Sequence, residues 1–404
     1  MDDLASLATE RGYDLFAEDI EDHRSAIADS INGKRVLVIG GAGSIGSATV
    51  REIARFATAA LHVVDQNENS LAELVRDLRS SNENFYLSNF KTIPLDFGSF
   101  IMRRYLNEKQ RYDYVLNFAA FKHVRSEKDI YSVLQMLDTN ILKLARLLKW
   151  LEEKGGTQRY FCVSTDKAAN PANLMGASKR LMEHVIFSGE IANKLQANIT
   201  SARFANVAFS DGSLLYSWLR RLEKRQPLSV PKDTKRFFIS LHEAGQICLL
   251  ASFCTPHRNL LIPRFMPDKD LRNLQSIAEK LLYYFDYKPH LCSSETEAKN
   301  SLEADVANGR YPLLLTPLDT SGEKSLEEFI GKNETVIEIG MKNLQAIEYL
   351  PTKRGAVRDL ITRIEECVAN TDKPIAKEEV VHLISKIVPE FTHIDSHKEL
   401  DARM

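Results

Sequence analysis

Four consecutive residues, Ser164-Thr165-Asp166-Lys167, follow the apolar run Tyr160-Phe161-Cys162-Val163, and Met175-Gly176-Ala177-Ser178-Lys179 opens the helical pattern after them. A hydroxyl, a carboxylate and an ammonium in a row at the C-terminal end of a buried strand cannot all be core. Such a cluster can divide acid and base work, because each charge shifts its neighbour's pKa. The plainer reading is a turn aspartate beside a surface lysine. Position favours chemistry, since open α/β sheets bind ligands at the C-terminal ends of their strands.

A second signal lies upstream, where Val36-Leu37-Val38-Ile39 runs into Gly40-Gly41-Ala42-Gly43-Ser44-Ile45-Gly46. Glycine is needed where a tight turn and the close approach of a pyrophosphate exclude a Cβ. The helix that starts there offers unpaired N–H groups and its dipole to the phosphates. The run fits both G-x-G-x-x-G and G-x-x-G-x-x-G, and Asp65 ends the next strand pattern about twenty residues on, where a carboxylate takes ribose hydroxyls. That carboxylate would repel a 2′-phosphate, and Gln66-Asn67-Glu68 supplies no arginine to receive one, so NAD is expected over NADP.

Other positions admit two readings. Asp96, after Ile93-Pro94-Leu95, either meets the adenine or is an ordinary turn residue. Ala119 and Ala120, after Asn117-Phe118, leave room for the cofactor's ribose and nicotinamide or simply pack small. Lys122-His123-Val124-Arg125 is a solvated loop or a contact for an anionic, diphosphate-bearing substrate.

These residues need a scaffold, and the hydrophobic pattern supplies one. Strand-like runs at residues 36–39, 61–65, 114–118, 160–163 and 201–204 alternate with helical patterns, the longest from Val133 to Leu151. That alternation predicts an α/β fold, a Rossmann-like doubly wound parallel sheet. Residues 1–33 read as an amphipathic helical arm that packs on its own body or on a neighbouring subunit. Residues 34–209 read as the dinucleotide-binding domain, and residues 210–404 as a smaller substrate-binding lobe. The lobe ends in a helical tail whose last helix, Lys377 to Val388, is stopped by Pro389.

Composition removes other classes. The 404 residues carry 53 Lys plus Arg against 55 Asp plus Glu, so no basic excess exists to neutralise a nucleic-acid backbone. No run approaches the ~20 apolar residues of a membrane span, and the N-terminus lacks a signal-peptide plan, so a cytoplasmic protein is expected. The five scattered cysteines read as free thiols, and the ten histidines show no metal-ligand spacing.

The glycine run, Asn117-Phe118-Ala119-Ala120 and Ser164-Thr165-Asp166-Lys167 with Met175-x-x-x-Lys179 resemble the extended short-chain dehydrogenase/reductases. More narrowly, the chain resembles the nucleotide-activated N-acetylglucosamine 4,6-dehydratases of bacterial polysaccharide biosynthesis. Residues 120–124, 170–180, 203–207 and 235–239 extend the likeness, and residues 320–324 and 389–391 resemble the soluble, configuration-retaining members. One departure is Met175, which stands where most of the superfamily has a tyrosine that takes a substrate proton. A thioether cannot do so, but Met recurs there in a dehydratase subgroup. It argues against a generic alcohol dehydrogenase, 4-epimerase or 4-keto reductase.

The resemblance implies a reaction on UDP-N-acetylglucosamine, or its GDP counterpart. Hydride leaves C4 to give a ketone, the acidified C5 proton is removed, water leaves from C6, and hydride returns to C6. It implies Lys167 as the base at C5 and Asp166 as the acid at C6, which also takes the C4 proton in place of the missing tyrosine. Thr165 would bond the C4 oxygen, and Lys179 would hold the nicotinamide ribose. Lys122, His123 and Asn173 would line the sugar, with Asn206 and Arg236 near the diphosphate. NAD would stay bound through each turnover, and a homo-oligomer is expected. The non-enzymatic alternative, a silent NAD-binding regulator, has no need of the Thr165-Asp166-Lys167 trio.

Overall fold

The computed structural model describes residues 3–122, 127, 129–317, 324, 326–370 and 372–394. In chain order its strands are β1 Arg35–Ile39, β2 Ala60–Asp65, β3 Phe90–Pro94, β4 Tyr114–Asn117, β5 Arg159–Val163, β6 Asn198–Ala202, β7 Asn206–Val207, β8 Leu228–Pro231, β9 Lys235–Ile239, β10 Asn259–Pro263, β11 Leu271–Asn273, β12 Lys288–Cys292, β13 Arg310–Thr316, β14 Thr335–Ile337 and β15 Leu344–Glu348. Nine of them form one sheet in the order β14-β15-β10-β6-β5-β4-β1-β2-β3. Every pairing from β3 across to β10 is parallel, and β15 joins antiparallel. Strands such as β1, with Val36, Leu37, Val38 and Ile39 all buried, carry apolar side chains on both faces because helices cover both faces.

The order β3-β2-β1-β4-β5-β6 reverses direction between β1 and β4. That topological switch point is where a doubly wound sheet opens a crevice at its strand ends. The glycine turn after β1, the Phe118-Ala119-Ala120 segment after β4 and the Ser164–Lys167 segment after β5 all emerge on that edge.

The chain order and the packing divide differently. Although residues 210–404 were expected to form a separate lobe, β10, β14 and β15 belong to the main sheet. The Leu241–Phe253 helix, buried along nearly its whole length, packs into the same core as β1 and β6. The lobe is instead a second core built from separated pieces: Ala8 of the Asp3–Thr9 helix, Trp218, Leu228, Phe238, Ile277, Leu281 and Leu313. The N-terminal arm is thus split. Its first helix joins the lobe, whereas the Ala17–Ile31 helix buries Ile20, Ile27 and Ile31 in the main core. A buried ion pair, Arg11 to Glu243 at 2.7 Å, fixes the joint between them.

The long helix expected from Val133 to Leu151 is present as Ile130–Leu137 and Leu144–Glu153, joined by a π-helical turn at Asp138–Lys143. Such turns aim side chains that a regular helix could not. Here the Asn140 amide accepts from the Phe121 amide (2.8 Å) and donates to Phe121 O (3.0 Å) and Ser178 Oγ (2.9 Å). The β4 loop is thereby tied to the helix that begins at Leu174.

Candidate active site

Two cavities meet at the switch point. The first, about 600 Å³, is lined by Gly40, Gly43, Ser44, Ile45, Gly46, Asp65, Asp96, Ala119 and Ala120. The second, about 380 Å³, is lined by Thr165, Asp166, Lys167, Met175, Lys179, Asn206 and Arg236. Ile45, Phe118, Ala120, Lys122 and Val163 border both. The residues singled out in the sequence therefore face one continuous cleft, with two exceptions. Asn173, expected at the sugar, is buried and caps the Leu174–Phe187 helix, its Oδ1 accepting from Gly176 N at 2.7 Å. His123 lies outside the described residues.

The glycine turn fits a dinucleotide. Gly40 has φ +69°, and a Cβ there would stand 2.5 Å from Ala119 N, so no other residue is accommodated without moving β4. A Cβ on Gly43 would meet only Gly40 O at 3.6 Å, leaving open space above the first turn of the Ser44–Ile53 helix for a pyrophosphate. Asp65 Oδ2 accepts from Ala42 N at 3.1 Å and Oδ1 from Asn67 N at 3.0 Å, which fixes the carboxylate at the end of β2 beside the cavity. Asp96 is clamped by Lys143 at 2.5 Å. Burial pushes its carboxyl up, but the bonds from Lys143 and Gly98 N win and hold it below the usual range. It is a fixed anion of the cavity wall, and Lys143, its partner, comes from the π turn.

The Ser164–Lys167 segment owes its geometry to the abrupt end of β5. Thr165 is still extended, and Asp166–Ala168 then form one 3₁₀ turn. Asp166 Oδ1 accepts three bonds, from Thr165 Oγ1 (2.8 Å), Lys167 N (2.9 Å) and Lys167 Nζ (3.1 Å). Lys167 also faces Glu327 at 3.8 Å. Burial pulls the Lys167 ammonium down, yet Asp166 and Glu327 together outweigh it and raise its pKa above the ordinary value. Arg236 is a cation that faces Lys167 and opposes that rise.

Lys179 is the converse case. Its Nζ donates to Val163 O at 2.6 Å, and burial lowers its pKa against the weaker pull of Cys162 and Glu183. Of the two lysines, the one two residues after Thr165 is held charged and the one on the helix is eased toward neutrality. Met175 lines the cleft, and its backbone N–H donates to Glu127 at 3.1 Å.

Several site residues carried no readable signal. Glu327 is 160 positions from Lys167 in the chain. Asp211 bridges the two halves of the cleft: Ser44 Oγ donates to Asp211 Oδ2 (3.1 Å), Asp211 N donates to Ser44 Oγ (2.9 Å), and Lys122 Nζ donates to Asp211 O (2.8 Å). Burial lowers the Lys122 pKa, and Asp211 opposes that. Far from the cleft, His290, Cys292 and Glu297 place potential ligand atoms within 4.8 Å of one another, a grouping the histidine spacing did not suggest.

A parallel sheet with a glycine turn, an acidic strand end and a Thr-Asp-Lys turn over one crevice defines a doubly wound α/β fold of the Rossmann type. The chain belongs to the polysaccharide biosynthesis protein family, whose sequence profile matches residues 36–348. It is 29% identical over 266 residues to an uncharacterized membrane protein of Methanocaldococcus jannaschii, covering 65% of this chain and 76% of that one. It is 27% identical to the probable polysaccharide biosynthesis protein EpsC of Bacillus subtilis, covering 78% of this chain but 48% of that protein, so it spans about half of that relative's length. It is 28% identical to an inverting UDP-N-acetylglucosamine 4,6-dehydratase of Campylobacter jejuni, covering 60% of this chain and 70% of that one. Among solved structures, Pen from Bacillus thuringiensis superposes with TM-score 0.63 at 21% identity, over 88% of this chain and 98% of that one. The dTDP-glucose 4,6-dehydratase DesIV of Streptomyces venezuelae, solved with NAD bound, gives TM-score 0.55 at 18% identity, over 82% of this chain and 97% of that one. These superpositions show that the chain shares its α/β fold with those proteins. Among the described residues, no helix is long and apolar enough to cross a membrane.

Proposed function

We propose that the protein is an NAD-dependent 4,6-dehydratase of UDP-N-acetylglucosamine that keeps its cofactor through the turnover and retains configuration at C5. The observation that carries the reading is the Thr165-Asp166-Lys167 turn opening on the same cleft as the glycine turn, with Met175 in the neighbouring wall. NAD, when bound, supplies the hydride acceptor and donor. Thr165 Oγ1 orients the C4 oxygen. Asp166 takes the C4 proton and delivers it to the C6 hydroxyl as water leaves. Lys167, as free amine, removes and returns the C5 proton. Lys179 holds the nicotinamide ribose, Asp65 holds the adenosine ribose, and Asn206 and Arg236 face the diphosphate. A 4-epimerase, the activity named for more distant relatives, is disfavoured because Met175 cannot shuttle a proton. Retention is supported by the likeness of residues 320–324 and 389–391 to retaining enzymes.

The test is mass spectrometry and NMR of UDP-N-acetylglucosamine incubated with the protein in heavy water without added cofactor, alongside GDP-N-acetylglucosamine. The expected product has lost one water and carries deuterium at C5, and the product made in ordinary water shows a nuclear Overhauser contact between H3 and H5 on one ring face. Absence of that contact in freshly formed product would refute retention. Unchanged sugars with NAD bound would refute the dehydratase reading.

A further inference from the structure

We infer that Glu327 is the positioning residue of Lys167, its carboxylate fixing the ammonium over the cleft and setting the pH at which that amine becomes free to act as a base. The role in turnover rests on the dehydratase reading, whereas the hold on Lys167 does not.

Lys167 Nζ lies between two carboxylates, Asp166 Oδ1 at 3.1 Å and Glu327 Oε1 at 3.8 Å. The charged groups facing it are these two and Arg236. Asp166 alone is a poor anchor, because its Oδ1 is already shared among three donors. In the proposed reaction Asp166 is neutral from the moment it takes the C4 proton until it delivers that proton at C6, and in that interval Lys167 takes the C5 proton and becomes an ammonium that a neutral acid no longer attracts. Among the described residues Glu327 is then the one carboxylate facing the amine, so it holds Lys167 in place while Asp166 changes charge.

Glu327 is built to stay where it is. It is buried, and two residues on Phe329 packs against Phe237 (5.6 Å between ring centres) and Phe265 (5.8 Å). The Phe329 carbonyl accepts from Arg203 Nη1 at 3.0 Å. The segment is pinned to the middle of β9 and to the buried arginine after β6, independently of the Asp166 turn. An opposite charge at this range favours the charged amine.

The test is trace acetylation of Lys167 with acetic anhydride across pH, read by peptide mass spectrometry on the full-length, NAD-loaded protein. Glu327→Gln should raise the reactive, neutral fraction of Lys167 about tenfold at a given pH. Glu327→Asp, which keeps the charge but retracts it, should give a smaller rise and serves alone if Glu327→Gln does not fold. An unchanged labelling profile in the folded variants overturns the inference. In turnover, the acid limb of the pH–rate profile should move down in Glu327→Gln together with the labelling midpoint. A labelling shift in a protein whose wild type never converts the sugar would sink the dehydratase reading and leave Glu327's hold on Lys167 standing.

Discussion

Two clusters of buried charge are built partly on the same helix, Leu174–Phe187, and they are finished differently. Behind the cleft, Arg203 donates to Glu183 (2.5 and 2.7 Å), to Glu334 (2.6 and 2.8 Å) and to Phe329 O. Arg180 joins Glu183 (3.0 Å), Glu334 and Glu390 (2.9 Å), and Ser164 Oγ fills a remaining Glu183 lone pair at 2.6 Å. Burial pushes the Glu183 carboxyl up, but Arg203 and Arg180 hold it down at about 2. In the cleft Lys179 is deeply buried while the Lys167 side chain is 21% exposed, and neither is saturated: Lys167 has two carboxylates at 3.1 and 3.8 Å, and Lys179 has one backbone carbonyl and a thioether. Burial alone does not mark a working group. What separates the two clusters is the partnering of each cation: Arg203 and Arg180 each meet two or more carboxylates at hydrogen-bond distance, whereas Lys167 hydrogen-bonds one carboxylate and Lys179 a backbone carbonyl and a thioether.

The largest expected effect tests the cleft. Asp166→Asn or Lys167→Ala should cut turnover by about 10²–10⁴-fold each with NAD still bound and melting little changed. A variant with a near-normal rate would place these residues with the structural cluster instead. The next tests the network. Arg203→Met strands Glu183 and Glu334 in the core and should cost about 3–5 kcal/mol in denaturant unfolding. A cost below about 1 kcal/mol, the range of exposed pairs, would erase the distinction between saturated and spare charge.

A smaller effect is graded by pH. His184, buried with Nδ1 3.1 Å from Tyr349 Oη, is pushed down to about 3 by burial and Arg180. Its folded pKa is below its unfolded one, as is that of Glu183. The unfolded chain therefore binds protons first, and stability present near neutrality is lost as pH falls. For His184 the loss begins near its ordinary value of 6.5, with a slope of up to about 1.4 kcal/mol per pH unit. His184→Gln should flatten the stability profile from there down to the range where Glu183 takes over. An unaltered slope would show that the network does not keep this imidazole neutral. The smallest effect concerns the closure of the cleft. Ser44→Ala removes the bond to Asp211 and should cost about 1 kcal/mol, read as severalfold faster NAD release after dilution.

Much of the cleft was legible because its signals are local. The glycine run, Asp65 and the Thr165-Asp166-Lys167 turn each sit directly after a short apolar run, and strand plus turn is a pattern that neighbours in sequence can carry. Asn173 was misplaced because Asn suits both a sugar contact and a helix cap, and only the bond to Gly176 N distinguishes them. The π turn at Asp138–Lys143 was invisible because its apolar positions keep an ordinary helical period. The break expected near residue 209 follows the change in pattern along the chain, but β10, β14 and β15 return to the sheet after it.

By itself the sequence determined the sheet class, the positions of its first strands along the chain and the chemistry available at their ends, since buried parallel strands and phosphate turns impose a residue pattern on contiguous segments. Only the tertiary structure decided how the charges are partnered. Arg203 meets Glu334 across 131 positions and Arg180 meets Glu390 across 210, while Lys167 meets Glu327 across 160. Coulomb attraction and desolvation depend on distance in space, which spacing along the chain does not record. Which lysine is held charged and which is eased toward neutrality is therefore a property of the fold.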